Sequence, residues 1–329
     1  MNKRPLIVIP DDAPPAFAGT AALEALRAIG RVEVYDTPAF TREEVIARCR
    51  DAEFIVNIRS KTPLDAAVLA ALPKLRMIAV FGAGTDNIDL DAATRLGIVV
   101  SNAPGANARS VAEHAFALLL AVARTIPAYD HAVRAGRWEH REGMELDAKT
   151  LGVLGLGHVG GHVARIAQGF AMRVLAWSRS RDPERATRLG VEQVELATLL
   201  EQSDAVIIAL ALSEETRGLI GARELALMRP HAILVNVSRG PIVVEEDLVA
   251  ALRAGRIAGA GLDVFATEPL PAGHPLTTLP NVVLTPHAGW STREARARLL
   301  QSPIDNIRAF LNGHPRNVVN RGVTPRAID

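Results

Sequence analysis

Leu151-Gly152-Val153-Leu154-Gly155-Leu156-Gly157-His158-Val159-Gly160 reads as an apolar strand, a glycine turn and the opening of a helix. Gly155 permits a tight turn, Gly157 lets the backbone approach a pyrophosphate, and Gly160 lets the helix lie close on the strand. The helix start beyond them presents amide N–H groups and a partial positive charge, which suits phosphates. His158 and Val159, inside the turn, are counted with the three glycines as cofactor contacts. A glycine turn alone is common. Here a strand precedes it, a helix follows, and a second strand, Met172 to Trp177, ends where a ribose would sit. The stretch is therefore read as a dinucleotide site in a doubly wound α/β sheet.

Outward from this turn the same alternation of short apolar runs and helical patterns continues. Strands are expected at 151–154, 172–177, 205–210, 232–237, 257–263 and 281–284, and in the first hundred residues at 6–9, 32–35, 54–58, 77–81 and 98–100. Helices are expected at 19–29, 42–50, 64–71 and about 110–124, with Thr41-x-x-Glu44 and Ser110-x-x-Glu113 at capping-box spacing. Asp182-Pro183 caps another helix, Gly255 ends the one that begins near Glu245, and Ser291-x-x-Glu294 opens the last, which runs to about Leu311. Strict alternation argues for parallel sheets covered on both faces. Residues 125–150 are polar with little periodicity and read as an arm.

A chain of 329 residues is long for one core and points to two domains. Its net charge of +1 gives no reason to expect nucleic acid or an anionic membrane as a partner. No apolar run approaches the roughly 20 residues of a membrane span, and no signal peptide is recognisable. Cys49 is the single cysteine, so no disulfide can form within the chain and a cytoplasmic, reducing setting is expected.

The second strand runs into Ser178-Arg179-Ser180-Arg181. An NAD-preferring site places an acid here to bind the ribose hydroxyls. This chain has none before Asp182, while Ser178 can donate to a phosphate oxygen and Arg179 can pair with it or stack on adenine. NADP(H) is therefore favoured over NAD(H); the alternative is that the arginines only solvate a loop and both cofactors are accepted. His158 and His162 are four apart, a metal-ligand spacing, but no third ligand accompanies them and no metal is expected.

Three later segments each offer, after an apolar run, one ionisable side chain suited to carbonyl chemistry: Asn236-Val237-Ser238-Arg239-Gly240, Asp263-Val264-Phe265-Ala266-Thr267-Glu268-Pro269 and Thr285-Pro286-His287-Ala288-Gly289-Trp290. Converging on one cleft, they would supply an anion anchor, a histidine tuner and a proton carrier. Together with Phe81-Gly82-Ala83-Gly84-Thr85-Asp86-Asn87-Ile88-Asp89 and the glycine turn, the chain resembles the D-isomer-specific 2-hydroxyacid dehydrogenase family over nearly its whole length. The resemblance implies a Rossmann NAD(P)-binding domain at 102–289, inserted into a flavodoxin-like substrate domain formed by 1–101 and 290–329. It also implies a homodimer built through the long helix and arm of 107–150. Carried over by motif, Arg239 would bind the substrate carboxylate and polarise the keto oxygen, His287 would be the acid–base, and Glu268 would hold its imidazole. Thr216, Val237, Ser238, Asp263 and Gly289 would line the cofactor. Gly82, Ala83 and Gly84 would offer backbone N–H groups to the substrate, with Arg59 and Ser60 as further contacts and Trp290 as pocket cover or interface packing.

The resemblance leaves the substrate open. Phosphoglycerate dehydrogenases are similar at 82–102, 110–124 and Arg59-Ser60-Lys61-Thr62, but they tend to carry an arginine just before the glycine loop, where this chain has Ala79-Val80-Phe81. Many also have a C-terminal regulatory domain, whereas this chain ends soon after its last helix. A small unphosphorylated 2-keto acid such as glyoxylate, hydroxypyruvate or pyruvate is the preferred substrate, with D-3-phosphoglycerate the alternative. A rival from another class is a nucleotide-sensing binding protein like the C-terminal-binding-protein corepressors, which share the fold.

Overall fold

The structure is a computed structural model that describes residues 4–58 and 61–326. The chain divides into two compact units, Met1–Asn107 with Arg293–Asp329, and Ala108–Thr292. The sequence expectation put the changeovers after 101 and after 289.

The first unit begins β1 (Leu6–Ile9), α1 (Ala21–Ile29), β2 (Arg31–Val34), α2 (Arg42–Cys49), β3 (Phe54–Asn57), α3 (Ala66–Ala70), β4 (Met77–Val80), α4 (Leu90–Arg95) and β5 (Val99–Ser101). Its sheet has the order β2-β1-β3-β4-β5, and every pairing is parallel. That is the flavodoxin-like order. β1, β3 and β4 are buried at every residue, which is why they read as near-continuous apolar runs, interrupted by Asn57 at the end of β3, rather than alternating ones. The capping box of α2 forms as expected: the Glu44 N–H donates to Thr41 Oγ1 at 3.2 Å, and the Thr41 N–H donates to Glu44 Oε2 at 3.0 Å.

The second unit runs α5 (Ala108–Ala123), α6 (Ile126–Arg134), β6 (Thr150–Leu154), α7 (His158–Gly169), β7 (Arg173–Trp177), α8 (Pro183–Leu189), β8 (Glu192–Gln193), α9 (Leu196–Gln202), β9 (Ala205–Ile208), α10 (Ala222–Leu227), β10 (Ile233–Asn236), α11 (Glu245–Arg253), β11 (Gly259–Leu262) and β12 (Val282–Leu284). Its parallel sheet has the order β12-β11-β10-β9-β6-β7-β8. From β8 to β11 this is the Rossmann order, and the strand sequence reverses direction between β6 and β9. Side chains alternate across the sheet. Leu154, Val206, Ile208, Leu234 and Leu262 join a core on one face, while Leu151, Val153, Ile207 and Val235 join one on the other. The chain then returns to the first unit with α12 (Arg293–Leu311), whose Phe310 meets Phe54 edge-on at 5.7 Å.

Several local expectations are corrected. Ser110 is not a helix cap: α5 starts earlier, at Ala108, and Ser110 Oγ lies 2.8 Å from Thr292 Oγ1. The arm after α5 is partly helical, since α6 occupies its first stretch. The last helix starts at Arg293 rather than beside Ser291. Among the described residues no single helix is long and apolar enough to cross a membrane.

Candidate active site

Register lines up the carboxyl ends of the second sheet. Trp177 pairs with Leu154, Leu154 with Ile208, Ile208 with Asn236, Asn236 with Leu262, and Leu262 with Leu284. The residues one step beyond are Ser178, Gly155, Ala209, Val237, Asp263 and Thr285. The ladder continues through that step: Gly155 N–H donates to Trp177 O at 2.7 Å, Asp263 N–H to Asn236 O at 3.0 Å, and Thr285 N–H to Leu262 O at 2.9 Å. Segments far apart in sequence thus meet along one sheet edge, where ligands of open α/β sheets bind.

At the reversal point, Gly155 has φ +98°. A Cβ on Gly160 would stand 1.9 Å from Gly155 O, so this helix can lie on this turn only with glycine there. Gly157 is different: it is the N-cap of α7, and a Cβ on it would meet nothing within 4 Å. Open space at a helix N-terminus fits a pyrophosphate, and the amides of His158, Val159 and Gly160 begin the helix there. Ser178 Oγ accepts from the Leu156 N–H at 2.9 Å and so anchors the turn. Arg179 pairs with Glu215 at 2.8 Å, and Asp182 is committed as cap of α8, accepting from the Arg185 N–H at 2.9 Å. Thr216 is buried; its Oγ1 donates to Ala211 O and accepts from the Ser213 N–H, both at 2.8 Å, and so shapes the loop after β9.

Arg239 leaves β10 through a turn organised by buried Asn236. The Asn236 side chain accepts from the Ser238 N–H at 3.1 Å and donates to Arg239 O at 3.0 Å. Ser238 Oγ donates to Leu210 O, which ties this turn to the loop after β9. A Cβ on Gly240 would come within 2.0 Å of Phe265 O. The Arg239 and Glu268 segments therefore touch backbone to backbone.

Glu268 and His287 meet directly, with Oε2 and Nδ1 2.9 Å apart, and Oε1 accepts from the Phe265 N–H at 3.1 Å. An ionised carboxylate has no proton to give. Nδ1 therefore carries the hydrogen, and Nε2 is left to exchange one. His287 has φ +54°, a backbone state that costs on the order of 1–3 kcal/mol outside glycine and persists only where its surroundings impose it.

Asp263 imposes it. Its main-chain oxygen accepts from the His287 N–H at 2.8 Å, Oδ1 accepts from Ala288 N–H at 2.7 Å and Thr285 Oγ1 at 2.6 Å, and Oδ2 accepts from Gly289 N–H at 2.9 Å. Burial alone would push the Asp263 carboxyl up; the bonds from His114, Thr285, Ala288 and Gly289 outweigh it and hold the group below the ordinary aspartate value. Much of its bonding capacity is thus committed to the loop of His287.

Reading the sequence did not single out Asn236, Thr285, His114 or Glu245. Glu245, at the start of α11, accepts from the Ala266 N–H at 3.1 Å and pairs with His274 at the same distance, so it steadies the Glu268 segment. Of the remaining expected residues, Gly82, Ala83 and Gly84 follow β4 in the first unit, where Ala83 O accepts from Asn102 Nδ2 at 2.7 Å. Trp290 ends the His287 loop and is half-buried. Arg59 and Ser60 lie outside the described residues. No group of three metal-ligating side chains occurs among the described residues.

Comparison with known proteins gives the family. Residues 116–289 match the model of the D-isomer specific 2-hydroxyacid dehydrogenase NAD-binding domain. The glyoxylate reductase of Aeropyrum pernix is 43% identical over 98% of this chain and 97% of its own. The D-3-phosphoglycerate dehydrogenase of Archaeoglobus fulgidus is 44% identical over 91% of this chain and 57% of its own. The crystal structure of an NADPH-dependent glyoxylate/hydroxypyruvate reductase from Sinorhizobium meliloti, in complex with NADP and malonate, superposes with a TM-score of 0.87. It is 32% identical, covering 99% of this chain and all of its own. A histidine–carboxylate pair and a dinucleotide turn on one sheet edge, in a chain with these relatives, make the protein a member of the D-isomer-specific 2-hydroxyacid dehydrogenase family, NAD(P)-dependent oxidoreductases.

Proposed function

We propose that this protein reduces small unphosphorylated 2-keto acids of the glyoxylate, hydroxypyruvate or pyruvate type to D-2-hydroxy acids, with NADPH as donor. The observation that carries the reading is the 2.9 Å His287–Glu268 bond, on the sheet edge that also carries the Gly155–Gly160 turn. The nicotinamide supplies the hydride. Arg239 takes the substrate carboxylate in its planar fork and polarises the keto oxygen. His287 Nε2 hands a proton to that oxygen as the hydride reaches the carbon, and Glu268 steadies the charged imidazole. The imidazole then regains its proton from solvent.

The case for NADPH rests on what surrounds Ser178. Its oxygen accepts from Leu156, so its own proton remains to give to a 2′-phosphate. Among the described residues Arg179 is held only by an exposed pair with Glu215, of a kind worth about 0–1 kcal/mol, and can exchange that partner for a phosphate. Asp182 keeps its charge but is turned to the start of α8, where it accepts from the Arg185 N–H. The names of the Aeropyrum pernix and Sinorhizobium meliloti proteins support the substrate and cofactor class.

A panel of 2-keto acids assayed with NADPH and NADH by absorbance tests this. The expected result is the highest kcat/KM for glyoxylate or hydroxypyruvate, with NADPH preferred. A strong NADH preference sinks the cofactor assignment, and a phosphorylated substrate performing best sinks the substrate class. Inactivity across the panel with NADPH bound points to a nucleotide-sensing binding protein instead.

The arm also supports a homodimer. Ile126, Val133 and Trp138 are 53%, 54% and 81% exposed, apolar surface that a second copy would cover. Sedimentation equilibrium is expected to give twice the 35.2 kDa chain mass, and Trp138→Asp to shift it toward the monomer. A wild-type monomer at micromolar concentration would refute this.

A further inference from the structure

We infer that His114, on α5, is a positioning residue for the loop that carries His287, acting by donating its Nε2 proton to the Thr285–Asp263 pair. This rests on the reading of His287 as proton carrier.

The geometry assigns the protons. His114 Nε2 lies 2.9 Å from Thr285 Oγ1 and 3.3 Å from Asp263 Oδ1. Thr285 has one hydroxyl proton, and its 2.6 Å bond to Asp263 Oδ1 takes it, because an ionised carboxylate can only accept. The Thr285 oxygen therefore meets His114 as an acceptor. Both atoms near His114 Nε2 are acceptors, so that nitrogen must carry hydrogen. The opposite neutral tautomer would set a lone pair against two oxygens.

The consequence falls on the loop. Asp263 gathers the Thr285 hydroxyl and the His287, Ala288 and Gly289 amides, and these contacts impose the φ of +54° that aims the His287 ring. His114 closes the network from the helix side. Its ring also packs against the loop: a Cβ on Gly289 would lie 3.0 Å from Asp263 Oδ2 and 3.5 Å from His114 Cδ2. The neighbours of His114 on α5, Val111, Ala115 and Leu118, already bury the helix in the core. The imidazole is thus not needed to hold the helix on the sheet. Its polar edge is spent on the loop.

The test compares His114→Leu, His114→Gln and Thr285→Val with wild type, reading kcat for a 2-keto acid, the Kd of NADPH by fluorescence, and Tm. Misplacing a catalytic group by about 1 Å can cost roughly 10²-fold in rate, so His114→Leu and Thr285→Val are expected to lose kcat by about 10–100-fold. Cofactor Kd should change less than kcat, because the Gly155–Gly160 turn and its Ser178 anchor lie outside this network. His114→Gln, whose amide can donate to the same oxygens, should recover most of the lost rate. Thr285→Val keeps the side-chain shape and reads the same contact should His114→Leu fold poorly.

Wild-type kcat in His114→Leu or in Thr285→Val overturns the inference. So does a rate loss that glutamine fails to recover and that tracks Tm, which means packing alone. A weakened cofactor Kd with kcat intact also overturns it, because the network then serves the cofactor. His287→Ala separates this failure from that of the underlying reading. Turnover retained in His287→Ala removes the proton-carrier assignment, whereas an inactive His287→Ala beside a normal His114→Leu removes only the role of His114.

Discussion

His287→Ala is expected to lower kcat for 2-keto acid reduction by about 10²–10⁴-fold, the range for a positioned general acid. That corresponds to about 3–5 kcal/mol of transition-state stabilisation. The affinity for NADPH should change little, because the glycine turn and its Ser178 anchor make no use of the imidazole. The Glu268 segment should also persist, since the Phe265 amide still bonds Oε1 and Glu245 still holds the Ala266 amide. The variant is thus a selective removal of the proton donor. Titration of NADPH fluorescence beside steady-state kinetics measures both quantities. A variant that still turns over near the wild-type rate would mean that the proton comes from elsewhere, and the pairing with Glu268 would then be structural.

That residue could be found from its strand-mouth position: Val282 to Leu284 is an apolar run, and the polar residues after it have nowhere regular to go. The same reasoning reached Arg239, whereas the glycine turn was legible from its own motif and Asp263 entered through the family resemblance. Local chemistry read equally well where it is self-contained, as in the Thr41–Glu44 box and the Asp182 cap. It failed where an identical local pattern serves a tertiary contact. Ser110-x-x-Glu113 has the spacing of a cap, yet its serine bonds Thr292, and no local rule distinguishes the two uses.

The α6 helix was missed for a related reason. Ala132 is its one buried residue, Thr125 before it is left-handed without a capping bond, and the Tyr129 hydroxyl ties it to Arg141 from the following segment. Its support is not periodic. β8 is two polar residues on the sheet edge, too short to carry a pattern. The least legible part of the site is the set of residues that hold others. His114 sits on an apolar helix and meets Thr285, and Glu245 meets Ala266; these partners are set by how α5 and α11 lie on the sheet.

The glycine turn yields the second large effect, and it separates the fold's requirement from the cofactor's. Gly160→Ala would place a methyl carbon 1.9 Å from Gly155 O, far inside contact distance. The turn cannot simply retreat, because Gly155 is itself against the loop after β9, where its own Cβ would stand 2.7 Å from Ala209 O. The strain must be shared by α7 and β6. Overpacking of this kind costs about 1–3 kcal/mol, and displaced amides should weaken NADPH binding by at least about 100-fold, or about 2.7 kcal/mol. Gly157→Ala should behave otherwise. Its methyl meets no protein atom within 4 Å, so Tm should hold while NADPH affinity falls, because the space it fills is the space the pyrophosphate needs. Gly161→Ala is the control, with a nearest contact of 3.5 Å, and should leave both unchanged. Thermal unfolding and NADPH titration across the three variants decide the matter. Full NADPH affinity in Gly157→Ala would mean that the phosphates bind elsewhere, and that the turn is glycine-rich only for the packing of α7 on β6.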